Sequence, residues 1–400
     1  MAIVKSTQPH NHQVIQLKSP KNCTMDKTES TEKNTNHHLA KPICELPLTP
    51  PTTPKMKVLD DSDIVAHDSE PKQVTQKELT VSAQHLHNHT LNADFNAQYT
   101  LGQELGSGGY GFVVSALQCS TGREVAVKFI FRHKIPANKW AHDPKLGIIP
   151  MEIYILRHVH HPNIIEYIDQ FQDEQFFYLV MELHGTGWSK ARSNTMPKAS
   201  LAMVAEATTR QLEESEAAPR PSLMSRRSSC DLFECIEQHS KFTEDQAKKI
   251  IKQIVDCIHY LYSRGICHRD LKDENIVIDS NFEVKLIDFG SAVVLPRQRN
   301  HYFDRFYGTI SFASPEILMG NPYRAEPAEV WSLGILLYTI LYGEVPFNDP
   351  AHAISRPFTT PRVQSSSDCM HLLSWMLAKK ADERARISEV LKHPWLKQQQ

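Results

Sequence analysis

The chain has 400 residues, with 44 Lys plus Arg against 46 Asp plus Glu. That length fits one large enzyme domain with tails, or two medium domains, and the balanced charge argues against a dedicated nucleic-acid binder. Eight Cys without a C-x-x-C pair form neither a disulfide framework nor a zinc ribbon, the apolar run from Trp331 to Tyr342 is too short for a bilayer, and no signal segment opens the chain; a cytoplasmic setting without nucleic-acid or membrane partners is expected, with nuclear access left open.

Residues 1–97 contain no Gly, Arg, Trp or Tyr, and Phe95 is their one Phe. They carry 10 Lys against 11 Asp plus Glu and are rich in Ser, Thr, Asn, Gln and Pro. Such a segment buries too little apolar surface to offset the entropy of ordering, so a disordered polar tail is expected. Within it, 46–54 is a stiff Pro-rich stretch with Thr-Pro sites at Thr49 and Thr53, either a docking or phosphorylation segment or an inert linker. His85, His87 and His89 alternate in polar surroundings with nothing to orient their rings, so a metal site is not expected there.

The texture changes at Tyr99. Glu124-Val-Ala-Val-Lys128 and Phe176-Phe-Tyr-Leu-Val-Met181 read as strands, whereas Asp245 to Tyr262 places Ile250, Ile251, Ile254, Ile258 and Leu261 on one helical face. Strands followed by helices give an α+β chain with a β-rich part before an α-rich part, and no internal repeat.

Gly106-Ser-Gly-Gly-Tyr-Gly111-Phe-Val113 is a glycine-rich loop whose backbone amides can approach phosphates. Alone it fits a dinucleotide fold too, but a strand follows it here rather than a helix. Lys128 on that strand can reach the phosphates, and Glu152, 24 residues on, is the carboxylate to hold it. His268-Arg-Asp-Leu-Lys-Asp-Glu-Asn275 supplies Asp270 to accept a hydroxyl proton, Lys272 to steady a transferred phosphoryl group and Asn275 to bind a metal. Asp288-Phe-Gly290 adds a carboxylate for Mg²⁺.

From about residue 98 to 400 the sequence thus resembles a eukaryotic protein kinase of the serine/threonine class. The resemblance implies a bilobal fold, with a small β-rich N-lobe over about 98–183, a larger α-helical C-lobe over about 231–400, and Mg-ATP between them. It also implies Met181 as gatekeeper, Glu182 to His184 as the adenine-binding hinge, Leu105, Val113 and Ala126 as pocket lining and Asp231 as the ribose-contacting acid. Asp143-Pro-Lys-Leu-Gly147, Met181-Glu-Leu-His-Gly185 and Leu318-Met-Gly-Asn-Pro-Tyr-Arg324 are similar to PAS-domain-containing serine/threonine kinases, in the calmodulin-dependent-kinase-like group. The upstream 97 residues lack the aromatic and β-branched content of a PAS sensor, so metabolite sensing is not carried over.

Three departures stand out: Ser314-Pro-Glu316 for Ala-Pro-Glu, Glu329 for an Asp that holds backbone, and Asp273 for a Pro in the catalytic loop. Arg384 is the expected ion-pair partner of Glu316. Between Gly290 and Gly308 the hydroxyls are Ser291, Tyr302 and Tyr307, so activity independent of a phosphothreonine is expected there, with Thr309 a rival just outside. Asp231 and Glu274 imply a preference for basic residues upstream of the target Ser/Thr.

Residues 188–230 read as a flexible insertion, with eight Ser, no Gly, a net charge of +3 and a helix-prone middle at 199–216. They are either a regulatory element with a basophilic site at Arg226-Arg-Ser-Ser229, or a translated intron, and the abrupt ends lean slightly to the latter. An active monomeric protein kinase is the leading expectation. A non-catalytic pseudokinase scaffold is the alternative, should the insertion disrupt the ATP cleft.

Overall fold

The computed structural model describes residues 79–185, 187, 227–239, 242–296, 301–363 and 365–397. The expectations for Thr49, Thr53 and the helix over 199–216 lie outside the described residues.

Two short helices open this region, α1 (Val81–Leu86) and α2 (Ala93–Gln98). The strands of the first lobe follow: β1 (Tyr99–Gly108), β2 (Gly111–Gln118), β3 (Glu124–Phe131), β4 (Trp140–Asp143) and β5 (Gly147–Pro150). Helix α3 (Met151–His158) comes next, then β6 (Tyr167–Gln172) and β7 (Phe176–Glu182). Five strands form one antiparallel sheet in the order β1-β2-β3-β7-β6, and β4 with β5 makes a separate hairpin.

The sheet is covered on both faces, and period-two geometry sorts its side chains. On β3, Val125, Val127, Phe129 and Phe131 join an aromatic core with Phe176, Tyr178 and Val180 of β7. The alternate residues, Ala126 and Ile130 with Phe177, Leu179 and Met181, join the larger core that continues into the second lobe. Lys128 shares their parity and therefore points toward the cleft rather than into the aromatic core.

The aromatic core corrects the expectation of a disordered tail reaching residue 97. Phe95 is fully buried, in contact with Tyr99, Phe129, Phe171 and Tyr178. Thr80 and Asn92 cap α1 and α2 with their side chains. A sheet face made of Phe112, Phe129 and Phe176 must be shielded from water, and residues 79–98 shield it. The histidines belong to this cover. His85 packs on Phe112 and Phe131, and His89 Nε2 lies 2.7 Å from Asp173 Oδ2.

The second lobe is mainly helical. Its elements are α4 (Leu232–His239), α5 (Glu244–Ser263), β8 (Ile266–Cys267), β9 (Ile276–Ile278), β10 (Val284–Leu286) and β11 (Val293–Val294). Then come α6 (Pro315–Leu318), α7 (Ala325–Tyr342), α8 (Pro350–Ser355) and α9 (Ser367–Met376). Helices α10 (Ile387–Val390) and α11 (Pro394–Lys397) complete the described residues. Thr243 and Gln246 form a reciprocal capping box that starts α5, and its apolar stripe packs on α7, whose middle is buried on every side. The short hairpin β9–β10 and the two-stranded pair β8–β11 carry the intervening loops to the cleft. No helix among the described residues is long and apolar enough to cross a membrane.

The expected boundary of the 188–230 insertion also shifts. Residues 227–230 are held against both lobes: the Arg227 N–H bonds to the Glu104 carbonyl, and the Cys230 carbonyl accepts from Ile278.

Candidate active site

Strand β3 aims Lys128 into the cleft, and α3 brings Glu152 to meet it. Lys128 Nζ lies 2.6 Å from Glu152 Oε1 and 3.0 Å from Asp288 Oδ1. Burial works against the ammonium charge, but the two carboxylates outweigh it and raise the Lys128 pKa. The Lys128 charge holds Asp288 down to about 2, whereas burial pushes Glu152 upward. Asp288 adopts a left-handed backbone at φ 58°, and its carboxylate accepts the Gly290 N–H. That bend turns the carboxylate toward Lys128 while Phe289 is fully buried in the core.

The catalytic-loop residues converge from the other side. Glu329 on α7 accepts the backbone N–H groups of His268 (2.9 Å) and Arg269 (3.1 Å), and Cys267 Sγ (3.0 Å) meets its second oxygen. The longer Glu therefore reaches the backbone just before Asp270. The Asn275 side-chain amide donates to the Asp270 carbonyl (2.8 Å) and to Asp270 Oδ2 (3.2 Å). Asp270 Oδ1 accepts both the backbone N–H (3.0 Å) and the hydroxyl (2.9 Å) of Thr309. Lys272 is drawn to Glu274. Arg384 forks onto both oxygens of Glu316 at 2.9 and 3.0 Å, so the two residues meet as expected.

The residues expected to face a nucleotide sort into two groups. A Cβ on Gly106, Gly108 or Gly109 would meet no atom within 4 Å, so the β1–β2 turn overhangs open space. Gly111 differs. A Cβ there would fall 2.0 Å from the Phe129 carbonyl, so close strand packing alone requires glycine. Ala126 and Met181 are direct partners across β3 and β7, and Leu105 and Val113 pack at the edge of the same core. At the lobe connection, Glu182 pairs with Lys285 (2.7 Å), and His184 Nε2 lies 2.9 Å from the Glu283 carbonyl. Asp231 caps α4 by accepting the Glu234 N–H and also holds Ser229.

Sequence reasoning missed the surroundings of Arg269, which also has a left-handed backbone at φ 69°. Its guanidinium bonds the Arg305 carbonyl and the Tyr323 hydroxyl, and lies 4.6 Å from the Phe303 ring centre and 5.4 Å from that of Tyr307. Buried Lys139 was also missed: its Nζ donates to the Ala292 carbonyl, and burial lowers its pKa to about 8. Arg269 stands in the His268-Arg-Asp270 motif, where a loop phosphate is the expected partner, but the partners it has, like those of Lys139, come from distant segments.

Comparison with known proteins agrees with this geometry. The protein kinase domain family matches residues 99–214 and 222–396. A PAS domain-containing serine/threonine-protein kinase of Mus musculus is 37% identical over 305 residues, covering 76% of this chain and 19% of that protein. Serine/threonine-protein kinase PSK2 of Saccharomyces cerevisiae is 33% identical, covering 75% of this chain and 24% of its own length. The chain therefore spans about a quarter or less of these two longer relatives. The serine/threonine-protein kinase pim-2 of Danio rerio is 30% identical, with 76% of this chain matched to 86% of that one. With a sheet-built lobe, a helical lobe and a shared cleft that matches along most of the described chain, this protein belongs to the protein kinase family.

Proposed function

We propose that the chain is an active Mg-ATP-dependent protein serine/threonine kinase whose substrates carry basic residues upstream of the target hydroxyl. The observation that carries this reading is Lys128 clasped between Glu152 and Asp288 across the two lobes. Lys128 and Glu152 are largely shielded while Asp288 opens to solvent, and a cation held at that border suits the phosphates of a nucleotide.

The residues present fit the missing groups. The open space over Gly106 and Gly108 suits phosphate oxygens, with β1–β2 backbone amides above them. Leu105, Val113, Ala126 and Met181 offer an apolar slot for adenine, beside the backbone of Glu182 to His184, and Asp231 stands for the ribose. Asp288 and the amide oxygen of Asn275 are hard oxygen donors of the kind Mg²⁺ prefers. When bound, the metal neutralises charge on the phosphate oxygens.

The chain's own residues then do three things. Lys128 orients the phosphates, held in place by Glu152. Asp270, fixed by Asn275, receives the proton of the substrate hydroxyl as the new O–P bond forms and the bond to ADP breaks. Lys272 leaves Glu274 to steady the transferred group. Glu274, freed of Lys272, and Asp231 offer carboxylates to Arg or Lys of a peptide. We place the activity in the cytoplasm and read the chain as a monomer.

The pseudokinase alternative draws support from one contact, Ser229 on Asp231, which occupies the acid meant for ribose. A radiolabelled-ATP assay separates the readings. Wild-type chain transfers label to a basic Ser peptide, and Asp288→Ala does not; equal labelling by the two would rule out this mechanism.

A further inference from the structure

Residues 227–230 join the two lobes outside the hinge, and phosphoryl transfer as described has no use for them. Toward the sheet, the Arg227 N–H donates to the Glu104 carbonyl at 2.8 Å, and Arg227 Nη1 lies 2.9 Å from Glu124 Oε1. Toward the helical lobe, the Cys230 carbonyl accepts the Ile278 N–H at 2.9 Å, and Asp231 bridges to Val277. Glu104 is a firm anchor. It is buried, and its carboxylate accepts the Ser82 N–H of α1 at 2.7 Å. The strand position after it is Leu105, the expected roof of the adenine slot.

Within this crossing, the Ser229 hydroxyl donates to Asp231 Oδ2 while Asp231 Oδ1 accepts the Glu234 N–H. Both oxygens of that acid are therefore engaged. Ser228 and Ser229 are exposed and half-buried respectively, and two arginines precede them in sequence.

We propose that residues 227–230 form an autoinhibitory strap across the mouth of the nucleotide cleft, and that phosphorylation of Ser229 by a basophilic kinase using ATP releases it. The proposal rests on the reading of Asp231 as the ribose-contacting acid. In the modification, Ser229 Oγ bonds to the γ-phosphorus, the bond from that phosphorus to ADP breaks, and the hydroxyl proton passes to the base of the modifying kinase. A donor to Asp231 becomes a dianion facing it. Repulsion then drives the two apart, and Arg227 exchanges Glu124 for the adjacent phosphate. Asp231 is left free for a ribose hydroxyl, and Glu104 is no longer tied to the helical lobe. The strap thus lowers the fraction of molecules able to admit nucleotide, which appears as weakened ATP affinity.

The test compares four forms of the full chain: unmodified, phosphorylated at Ser229, Arg227→Glu, and Ser229→Ala taken through the same kinase treatment. Binding of a fluorescent ATP analogue and steady-state ATP kinetics are both read, with occupancy of Ser229 followed by mass spectrometry. Phosphorylation and Arg227→Glu should each tighten analogue binding and lower the ATP KM by about three- to tenfold, leaving kcat little changed. The Ser229→Ala chain should not respond to the treatment. Unchanged nucleotide affinity in both released forms overturns the strap but leaves the kinase reading standing. Failure of every form to bind nucleotide overturns both, and a transcript lacking codons 188–230 removes the strap altogether.

Discussion

The two walls of the cleft hold their cations by opposite means. Lys128 is clasped between two carboxylates, charge against charge, with Glu152 buried and Asp288 open to solvent. Arg269 is surrounded by neutral groups: a carbonyl, a Tyr hydroxyl and the faces of aromatic rings. The first arrangement is strong only while all three members are present, because loss of one leaves uncompensated buried charge. The second is held without any anion, with its Nη2 hydrogen-bonded and its buried Nε left without a hydrogen-bond partner. One wall is therefore built to respond to a ligand's charge, and the other holds its cation with neutral groups alone.

The sharpest way to break the contrast is at Lys128. Lys128→Met leaves Glu152 and Asp288 facing each other without a cation, and should reduce kcat/KM by about 10²- to 10³-fold or more in the radiolabelled-ATP assay. Retention of activity within tenfold would show that the clasp does not serve catalysis. The Glu316–Arg384 pair extends the charge-against-charge pattern into the helical lobe. Arg384 is fully buried and also donates to the carbonyls of Pro327 and Ala378. Burial alone would raise the Glu316 pKa, but Arg384 reverses it and holds it low. Arg384→Ala should cost about 3 kcal/mol of stability in urea unfolding, mostly from the stranded carboxylate. Glu316→Gln paired with Arg384→Met should recover a large part of it.

What the sequence disclosed follows the same division. Lys128, Asp270, Asn275 and Asp288 were legible because each stands in a short local motif whose chemistry demands that residue type. Strand parity alone, read from Val125-Ala-Val-Lys128, separates Lys128 from its buried neighbours. The α1–α2 cover was not legible. Phe95 and the caps Thr80 and Asn92 were averaged into a 97-residue polar segment, though Asn92-Ala-Asp-Phe95 is itself a local helix-start signal. The setting of Arg269 was hidden for another reason: Phe303, Tyr307 and Tyr323 lie 34 or more positions away, and only the fold unites them. Gly111 shows the converse, a motif residue whose close strand packing would require glycine in any case.

Asp273 sharpens the comparison as a buried charge with no cation beside it among the described residues and the Glu274 N–H, at 3.1 Å, to support it. Burial, with Glu274 and Asp231 nearby, pushes its pKa up to about 6. The folded state thus holds a proton that the unfolded chain releases near pH 4, so stability falls as pH rises from about 4 to 6 and stays reduced above that window. Asp273→Asn should raise stability at pH 7 by about 2 kcal/mol and flatten that part of the pH profile. An unchanged melting profile across pH 4 to 7 would show that the site relaxes around the charge.

The smallest effect is expected where neutral groups already hold the cation. A phosphate on this segment would find Arg269 engaged by Arg305, Tyr323 and the rings of Phe303 and Tyr307. Thr309, the nearest threonine, directs its hydroxyl to Asp270 instead, so a phosphate there would face that carboxylate rather than a cation. Phosphatase treatment that clears this segment, checked by mass spectrometry, should therefore leave kcat/KM within about twofold, under 0.5 kcal/mol of transition-state free energy. Replacing Phe303 and Tyr323 together by Leu opens the cage and should make the enzyme sensitive to the same treatment or simply less active. A tenfold loss on dephosphorylation of the wild type, restored by rephosphorylation, would mean that the neutral cage does not suffice to order the loop and that both walls of the cleft depend on anions after all.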